Sequence, residues 1–537
     1  MDRRQFLKDS AIASVGLALG INGSAAEMCC TEGRRIPRSA DLLIVGGTVY
    51  SGAEEAPVQA DIAISGERIT YVGKTNPRIA RKCNAAKVID ATGYVVCPGF
   101  IDPHDHVEPT LLDNDTKVNE PYLRMGVTTV IPGQCGGSQF PISKFFGKLE
   151  AQGIGTNVAS FSGHNDIRRA VMGSEDRFAT DAEIEKMQEL MRQEMADGSL
   201  GLSTGLYYVP GCFAEKREVV AIAKVIAADN GIYTTHVRNE NKEHLGVYKS
   251  IEEALEIGRE AGVPVNISHI KCLGKSVWHL SDKIISMIEK RQGEGQRITA
   301  DQYPYLASGI RMSSALTPAW CRDGGLAGMR ERFKDPELLA RIKSEIPDFI
   351  YERGGAETIF ISKSAGIYSG MTLENAAKKM GKNEVDTVIE LLADPDKYPY
   401  VNTFVACEED LENFMKRPWV MTCTDGSYGS HPRAAGSYAE MIEQFVMKKK
   451  VITLDRFIRR STGQVAETYR LKDRGHIRKD AFADICIFRP EEVRANATYA
   501  EAKLLATGFK YVIVNGQIAV EDDVCLGTLA GKVLRRS

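Results

Sequence analysis

The sequence predicts an α/β fold: a (β/α)8 TIM-like barrel with a small β-sandwich module built from both ends of the mature chain and an insertion between strands seven and eight. Three observations carry this. Residues 98–474 alternate short apolar, β-branched runs with amphipathic helical stretches, the mark of parallel βα units. Eight such runs can be counted, the number that closes a barrel. The flanking segments change style, to alternating runs broken by Gly-rich turns, which is the antiparallel pattern.

The elements follow in order. Residues 1–26 place Arg3-Arg4 ahead of Phe6-Leu7-Lys8, an apolar stretch from about Ala11 to Ile21, and the small residues Ser24-Ala25-Ala26. This resembles a twin-arginine signal peptide and predicts a periplasmic or secreted protein. The apolar part falls short of the ~20 residues a permanent span needs, so no stable membrane anchor is expected. Then come "DLLIVGGTVYSG", "ADIAISGERITYVG" and "KVIDATGYVVCPG", with "ADICIFRP" and "YVIVNGQIAVEDD" near the other end. Residues 40–97 and 475–537 are therefore expected to build one β-module together.

The barrel strands are read as "VVCPGFID", "GVTTVIPG", "TNVASFSG", "LGLSTGLY", "GIYTTHV", "VPVNISH", "RITADQY" and "WVMTCTD". "SIEEALEIGREAG" shows the helical type, with Ser250 as its cap, Glu253 completing a capping box and Gly262 as its stop. More than a hundred residues, 306–417, separate the seventh strand from the eighth, too many for a loop, which predicts an inserted subdomain.

Composition narrows the function. The 537 residues are 43% hydrophobic and 26% charged with a net charge of −3, which describes a folded soluble chain. There is no basic stripe with interleaved aromatics, so a small-molecule substrate is expected and nucleic acid is not. The twelve cysteines are scattered and do not read as a disulfide scaffold. Oligomeric state leaves no trace in the sequence.

The strand ends carry the chemistry. The first ends in His104 and His106, the second runs into Cys135, the fifth ends in His236, the sixth in His269 and the eighth in Asp425. In a parallel barrel these ends converge on one mouth, where active sites of the fold lie. Residues i and i+2 of a strand share a face, so His104 and His106 can turn to one ion while Asp105 faces away. Singly, each His or Cys is more simply a packed core residue; jointly they point to a metal. Imidazoles with a thiolate suit Zn²⁺, which activates water and polarises a carbonyl, with Asp425 as the base that later returns the proton.

The stretches "PGFIDPHDH", "GVTTVIPGQCGG", "GHNDIRRAVMG", "GLSTGLYYVPG", "THVRNE", "SHIKCLG", "DQYPY", "TDGSYGSHPR" and "AFADICIF" resemble the amidohydrolase superfamily, and within it the D-aminoacylase (N-acyl-D-amino-acid deacylase) family. The resemblance implies zinc-dependent hydrolysis of N-acyl-D-amino acids. It implies one tightly bound zinc on Cys135, His236 and His269, room for a second on His104 and His106, and Asp425 as acid/base. It maps recognition of the substrate carboxylate onto Lys271, Arg433, Tyr208 and Tyr303; the plainer alternative for Lys271 and Arg433 is a structural ion pair. His164 and Asn239-Glu240 are expected to support these groups from behind. The alternatives are a cyclic amide hydrolase of the dihydropyrimidinase or dihydroorotase type, a dipeptidase for D-residues and, more remotely, a non-catalytic periplasmic binding barrel.

Overall fold

The computed structural model describes residues 36–536, so the leader read at 1–26 lies outside it. Eight parallel segments line up in chain order. Phe100–Asp102 pairs with Val127–Val130, which pairs with Asn157–Val158. A second ladder runs from Ser162–Gly163 through Gly201–Gly205, Ile232–His236, Val265–Ile267 and Ile298–Gln302 to Val420–Thr422. The third strand is thus split in two. Opposite the break stands Pro132, whose carbonyl accepts from Phe161 N at 3.1 Å but which has no N–H to return. Between the eighth strand and the first, the join is made beyond the strands. Asp425 N donates to His104 O at 2.8 Å, His106 N donates to Gly426 O at 2.9 Å, and Asp105 and Gly426 form a parallel bridge. The strands are buried on both faces, as expected of a sheet enclosed by helices.

Two boundaries differ from the sequence reading. The stretch "VVCPGFID" is not one strand: Val95–Pro98 pairs with Ile485–Phe488 in the terminal module, and the barrel begins at Phe100. The helix assigned from Ser250 runs Gly246–Ala261, one turn longer at its start. Ser250 is inside it and its hydroxyl accepts from Asn239 N at 3.1 Å, while Glu253 pairs with Arg238 at 3.0 Å, so both serve tertiary contacts rather than a cap. Gly262 does end the helix, in the left-handed conformation at φ 72°.

The terminal module is one branched sheet of nine strands among the described residues, five from 39–98 and four from 485–525. Ile44, Ile62, Val96, Ile485 and Ile513 meet in its core, so neither end of the chain can bury its apolar face alone. After the seventh strand, Ala307–Arg311, Ile359–Lys363, Met371–Thr372 and Tyr400–Phe404 form a separate antiparallel sheet with an apolar core of its own. The helix Glu408–Met415 already belongs to the barrel: Asp410 accepts from His279 N and Ser281 N, at 2.8 and 3.1 Å, capping the preceding crossover helix Ser281–Gly293. All ten cysteines of the described residues are free, and no helix among them is long and apolar enough to cross a membrane.

Candidate metal centre

Each candidate ligand stands at or just past the end of a barrel strand. Cys135, His269 and Asp425 hold left-handed backbones, with φ 54°, 36° and 48°, a conformation that costs a non-glycine residue about 1–3 kcal/mol and gathers at functional sites. Cys135 is wedged in place. A Cβ on Gly136 would stand 2.6 Å from Gly205 N, and one on Gly205 would stand 2.0 Å from Cys135 O. Glycine at both positions lets the turn press against the fourth strand.

The thiol sits among three imidazoles. Cys135 Sγ is 3.4 Å from His104 Nε2, 3.4 Å from His269 Nε2 and 3.6 Å from His236 Nδ1. Around a tetrahedral zinc, bonds of about 2.3 Å to sulfur and about 2.05 Å to nitrogen place those two atoms about 3.6 Å apart. Each sulfur–nitrogen separation is the one a shared zinc imposes, and the compact ligand group among the described residues is His104, Cys135, His269 and Asp425, with His236 beside the thiol but outside that group. Burial pushes the Cys135 thiol well above its ordinary range and the Asp425 charge adds to this, so the thiolate needs a cation beside it.

The far nitrogens of these rings face carboxylates. His104 Nδ1 is 3.3 Å from Asp301 Oδ1, His269 Nδ1 is 3.1 Å from Glu240 Oε1, and His236 Nε2 is 3.8 Å from Glu240 Oε2. At His269 the contact is a hydrogen bond, of the kind that fixes the ring and the tautomer presenting a lone pair to a metal, while at His104 and His236 the carboxylate acts by its charge. Asp301 is itself held by His269 N at 2.7 Å and Asn266 Nδ2 at 2.6 Å. The sequence reading grouped Cys135, His236 and His269 apart from His104 and His106. The geometry draws the line elsewhere, since His104 is as close to Cys135 as His269 is. The ligand atoms of His104, Cys135, His269 and Asp425 all lie within 4.8 Å of one another. His106, its side chain 30% exposed, joins them through Asp425, with Nε2 3.2 Å from Oδ1.

Asp425 Oδ2 accepts from Arg433 Nη1 at 2.6 Å. Burial alone would raise the Asp425 pKa, but the Arg433 and His269 charges and a hydrogen bond from His106 hold it well below the usual carboxylate range. Lys271 Nζ lies 2.5 Å from Glu240 Oε1 and 2.8 Å from His269 Nδ1. Burial would lower the lysine's pKa, but the Glu240 charge overrides it and keeps the ammonium. His236, Glu240 and His269 also have ligand atoms within 4.8 Å of one another, yet that ammonium disfavours a metal between them.

The mouth opens into a cavity of about 420 Å³, lined by all ten sequence-selected residues except the fully buried His104. Tyr208 lies with its ring 4.7 Å from that of His236, and the Arg433 guanidinium is 4.8 Å above the Tyr303 ring. Lys271 and Arg433 are indeed in ion pairs, but in ion pairs that face the cavity. His164 is elsewhere: its Nε2 is 2.8 Å from Glu218 Oε1, which Arg168 also holds at 3.1 Å. The sequence reading missed Asp301, although it ends the seventh strand in "TADQ" and the strand-end rule could have found it. It also missed Tyr207 and Arg353, which line the cavity.

Comparison with known proteins bears on this site. A model of the Amidohydrolase family matches residues 87–396 and 367–520. A D-aminoacylase of Alcaligenes xylosoxydans xylosoxydans is 30% identical over 523 residues, which is 93% of this chain and 98% of that protein. The solved N-acyl-D-glutamate deacylase of Bordetella bronchiseptica, complexed with zinc and a phosphonate inhibitor, is 26% identical with a TM-score of 0.79, over 93% of this chain and all of that one. A solved D-aminoacylase, studied for one-metal activation and second-metal attenuation in its binuclear centre, is 28% identical with a TM-score of 0.78 and the same coverage. Strand-end ligands, a cysteine among them, and similarity over the whole barrel and module lead to one conclusion: the chain belongs to the amidohydrolase family, in its D-aminoacylase group.

Proposed function

We propose that this protein is a zinc-dependent hydrolase that cleaves the amide bond of N-acyl-D-amino acids to a carboxylate and a free D-amino acid. The observation that carries the reading is the Cys135 thiol ringed by three imidazole nitrogens, with Asp425 across the mouth. Cys135, His104, His236, His269, His106 and Asp425 are the residues that would hold the metal. When bound, zinc supplies a Lewis acid for the scissile carbonyl and an acidified water.

The remaining work falls to side chains. Asp425 enters as a carboxylate, takes a proton from the attacking water and delivers it to the leaving nitrogen. Arg433 is both its ion-pair partner and a cavity wall. A substrate carboxylate that engages Arg433 bidentately draws the guanidinium away from Asp425, which makes Asp425 the stronger base at the moment substrate is seated. Lys271 adds a point charge to the same wall, and Tyr208 and Tyr303 bring phenol groups.

The test is a panel of N-acetyl-D- and N-acetyl-L-amino acids and hydantoins on zinc-loaded enzyme, together with Asp425→Asn. Hydrolysis of the D series alone, and a loss of kcat of about 10²–10⁴-fold in the variant at unchanged zinc content, support the reading. A variant with undiminished kcat refutes the role of Asp425. For location, the Arg3-Arg4 leader supports export to the periplasm; replacing both arginines by lysine should strand the protein in the cytoplasm, and its recovery outside would overturn that assignment.

A further inference from the structure

The arginine that faces the substrate is anchored from behind. Arg433 is the first residue of the helix Arg433–Glu440, a position whose backbone N–H has no partner within the helix. That N–H donates to the side chain of His431, with Arg433 N 3.0 Å from Nδ1. On the other side of the ring, Nε2 is 3.1 Å from Ala307 O. A ring nitrogen that accepts from an amide carries no proton, and one that faces a carbonyl carries it, so both partners select the same neutral tautomer. Burial, and then the Arg433 charge, hold the His431 pKa well below its ordinary value and keep the ring neutral.

The ring is also held by its neighbours. His431 is 1% exposed, with the ring centroids of Tyr305 and Tyr499 at 5.2 and 5.0 Å from its own. Ala307 begins the strand Ala307–Arg311 of the inserted region, and two residues along it Gly309 O accepts from Arg433 Nη2 at 3.2 Å. One strand thus holds the root of the arginine through His431 and its tip directly. It lies close, since a Cβ on Gly309 would stand 3.3 Å from His431 Cδ2 and 3.0 Å from Asn402 Oδ1. Asn402, on the neighbouring strand Tyr400–Phe404, donates from Nδ2 to Ser430 O at 2.9 Å and clamps the same turn. Arg433 has one nitrogen on Asp425 and one on Gly309 O, while its buried Nε has no partner. A guanidinium that leaves Asp425 to meet a carboxylate needs a fixed base, because a misplacement of about 1 Å can cost about 10²-fold.

We infer that His431 is a positioning residue for substrate recognition: it aims Arg433 at the α-carboxylate and carries the placement of the inserted sheet to the barrel mouth. His431 lies outside the cavity lining and acts through Arg433, which lines it. The proposal rests on the N-acyl-D-amino acid reading above, in which Arg433 takes the α-carboxylate. It also gives the inserted region a task, since Ala307, Gly309 and Asn402 all come from it.

The experiment uses zinc-loaded full-length enzyme and one isosteric pair, the N-acetyl-D-amino acid that wild type cleaves best and its α-carboxamide. Wild type should favour the acid by about tenfold or more in kcat/KM, as a charge-assisted hydrogen bond to a buried arginine allows. His431→Phe keeps an aromatic ring and loses both hydrogen bonds, and it should cut the acid-to-amide ratio by about 10–100-fold at unchanged zinc content, chiefly through KM for the acid. His431→Asn, whose amide oxygen can stand in for Nδ1, should recover part of the ratio. On an Arg433→Gln background, His431→Phe should lower kcat/KM for the acid by less than about twofold, since two residues that act through one guanidinium are not additive. A ratio within about twofold of wild type in both His431 variants overturns the inference. So does a His431→Phe loss as large on the Arg433→Gln background as on wild type, since that marks a role in folding rather than in aim. The same cycle run with His431→Asn decides the question if His431→Phe does not fold. A wild type that cleaves acid and carboxamide equally overturns the reading of Arg433 beneath the inference, and the inference with it.

Discussion

Glu240 is the residue whose removal tests the construction of the metal centre most directly. Its Oε1 accepts from Lys271 Nζ at 2.5 Å and lies 3.1 Å from His269 Nδ1, with only 11% of its side chain exposed. To offer Nε2 to a metal, neutral His269 must carry its proton on Nδ1, and Glu240 is the acceptor for that proton. Lys271, 2.8 Å from the same nitrogen, would impose the opposite tautomer if it were free to donate there. In Glu240→Gln the charge is gone at nearly constant shape, and the lysine is released to Nδ1. Two unit charges 2.5 Å apart attract by about 6–7 kcal/mol at an effective dielectric near 20. After desolvation, breaking such a buried pair costs about 3–5 kcal/mol. Loss of the carboxylate behind a ligating histidine weakens metal binding by about 10–100-fold. We therefore expect zinc affinity, measured by competition with a chromophoric chelator, to fall by that factor, with a lower Tm for the holoenzyme. An affinity within twofold of wild type would refute the tautomer argument.

Cys135→Ser removes the centre of the donor set, and metal content after dialysis should fall to near zero while far-ultraviolet circular dichroism is retained. Asp301→Ala frees both His104 Nδ1 and the left-handed His269 N–H, so zinc affinity should drop about tenfold or more, and a purely structural Asp301 would leave it unchanged. Glu440 gives a pH test. Burial first, then the Glu443 charge, push its pKa up to about 7, so wild type loses stability as pH rises from about 4.5 to 7 and carries the full penalty above that. Glu440→Gln should therefore stabilise the protein by about 1–2 kcal/mol at pH 8, after allowance for partial exposure, and leave it unchanged at pH 4.5 in urea titrations.

Much of this was legible in the residues, and the limits have physical causes. Strand type and count came through because buried parallel strands are written as short β-branched runs, and the ligands came through because the fold places strand ends together. The boundary at Gly99 did not, because "VVCPGFID" is apolar throughout and only tertiary pairing assigns its halves to different sheets. The start of the helix at Gly246 was missed because Ser250 and Glu253 fit a capping box that their tertiary partners claim instead. Which histidines share the thiol depends on side-chain direction past the strand ends, and "HDH" carries no record of that. Arg353 lies in the inserted region, where no periodicity or motif marks the guanidinium groups, its own and that of Arg311, that line the cavity.

The join between the eighth strand and the first is closed by the backbone of His104, His106 and Asp425 themselves. The staves of the barrel are thus hooped by its reactive rim. An ion shared by Cys135 and His269 would also tie together positions 134 residues apart, a loop whose closure otherwise costs the chain considerable entropy. Loading the centre and fastening the barrel are then one event. The amide protons of His106 and Asp425 become its gauge: slow to exchange when the hoop is tight, and the first to exchange when a chelator loosens it.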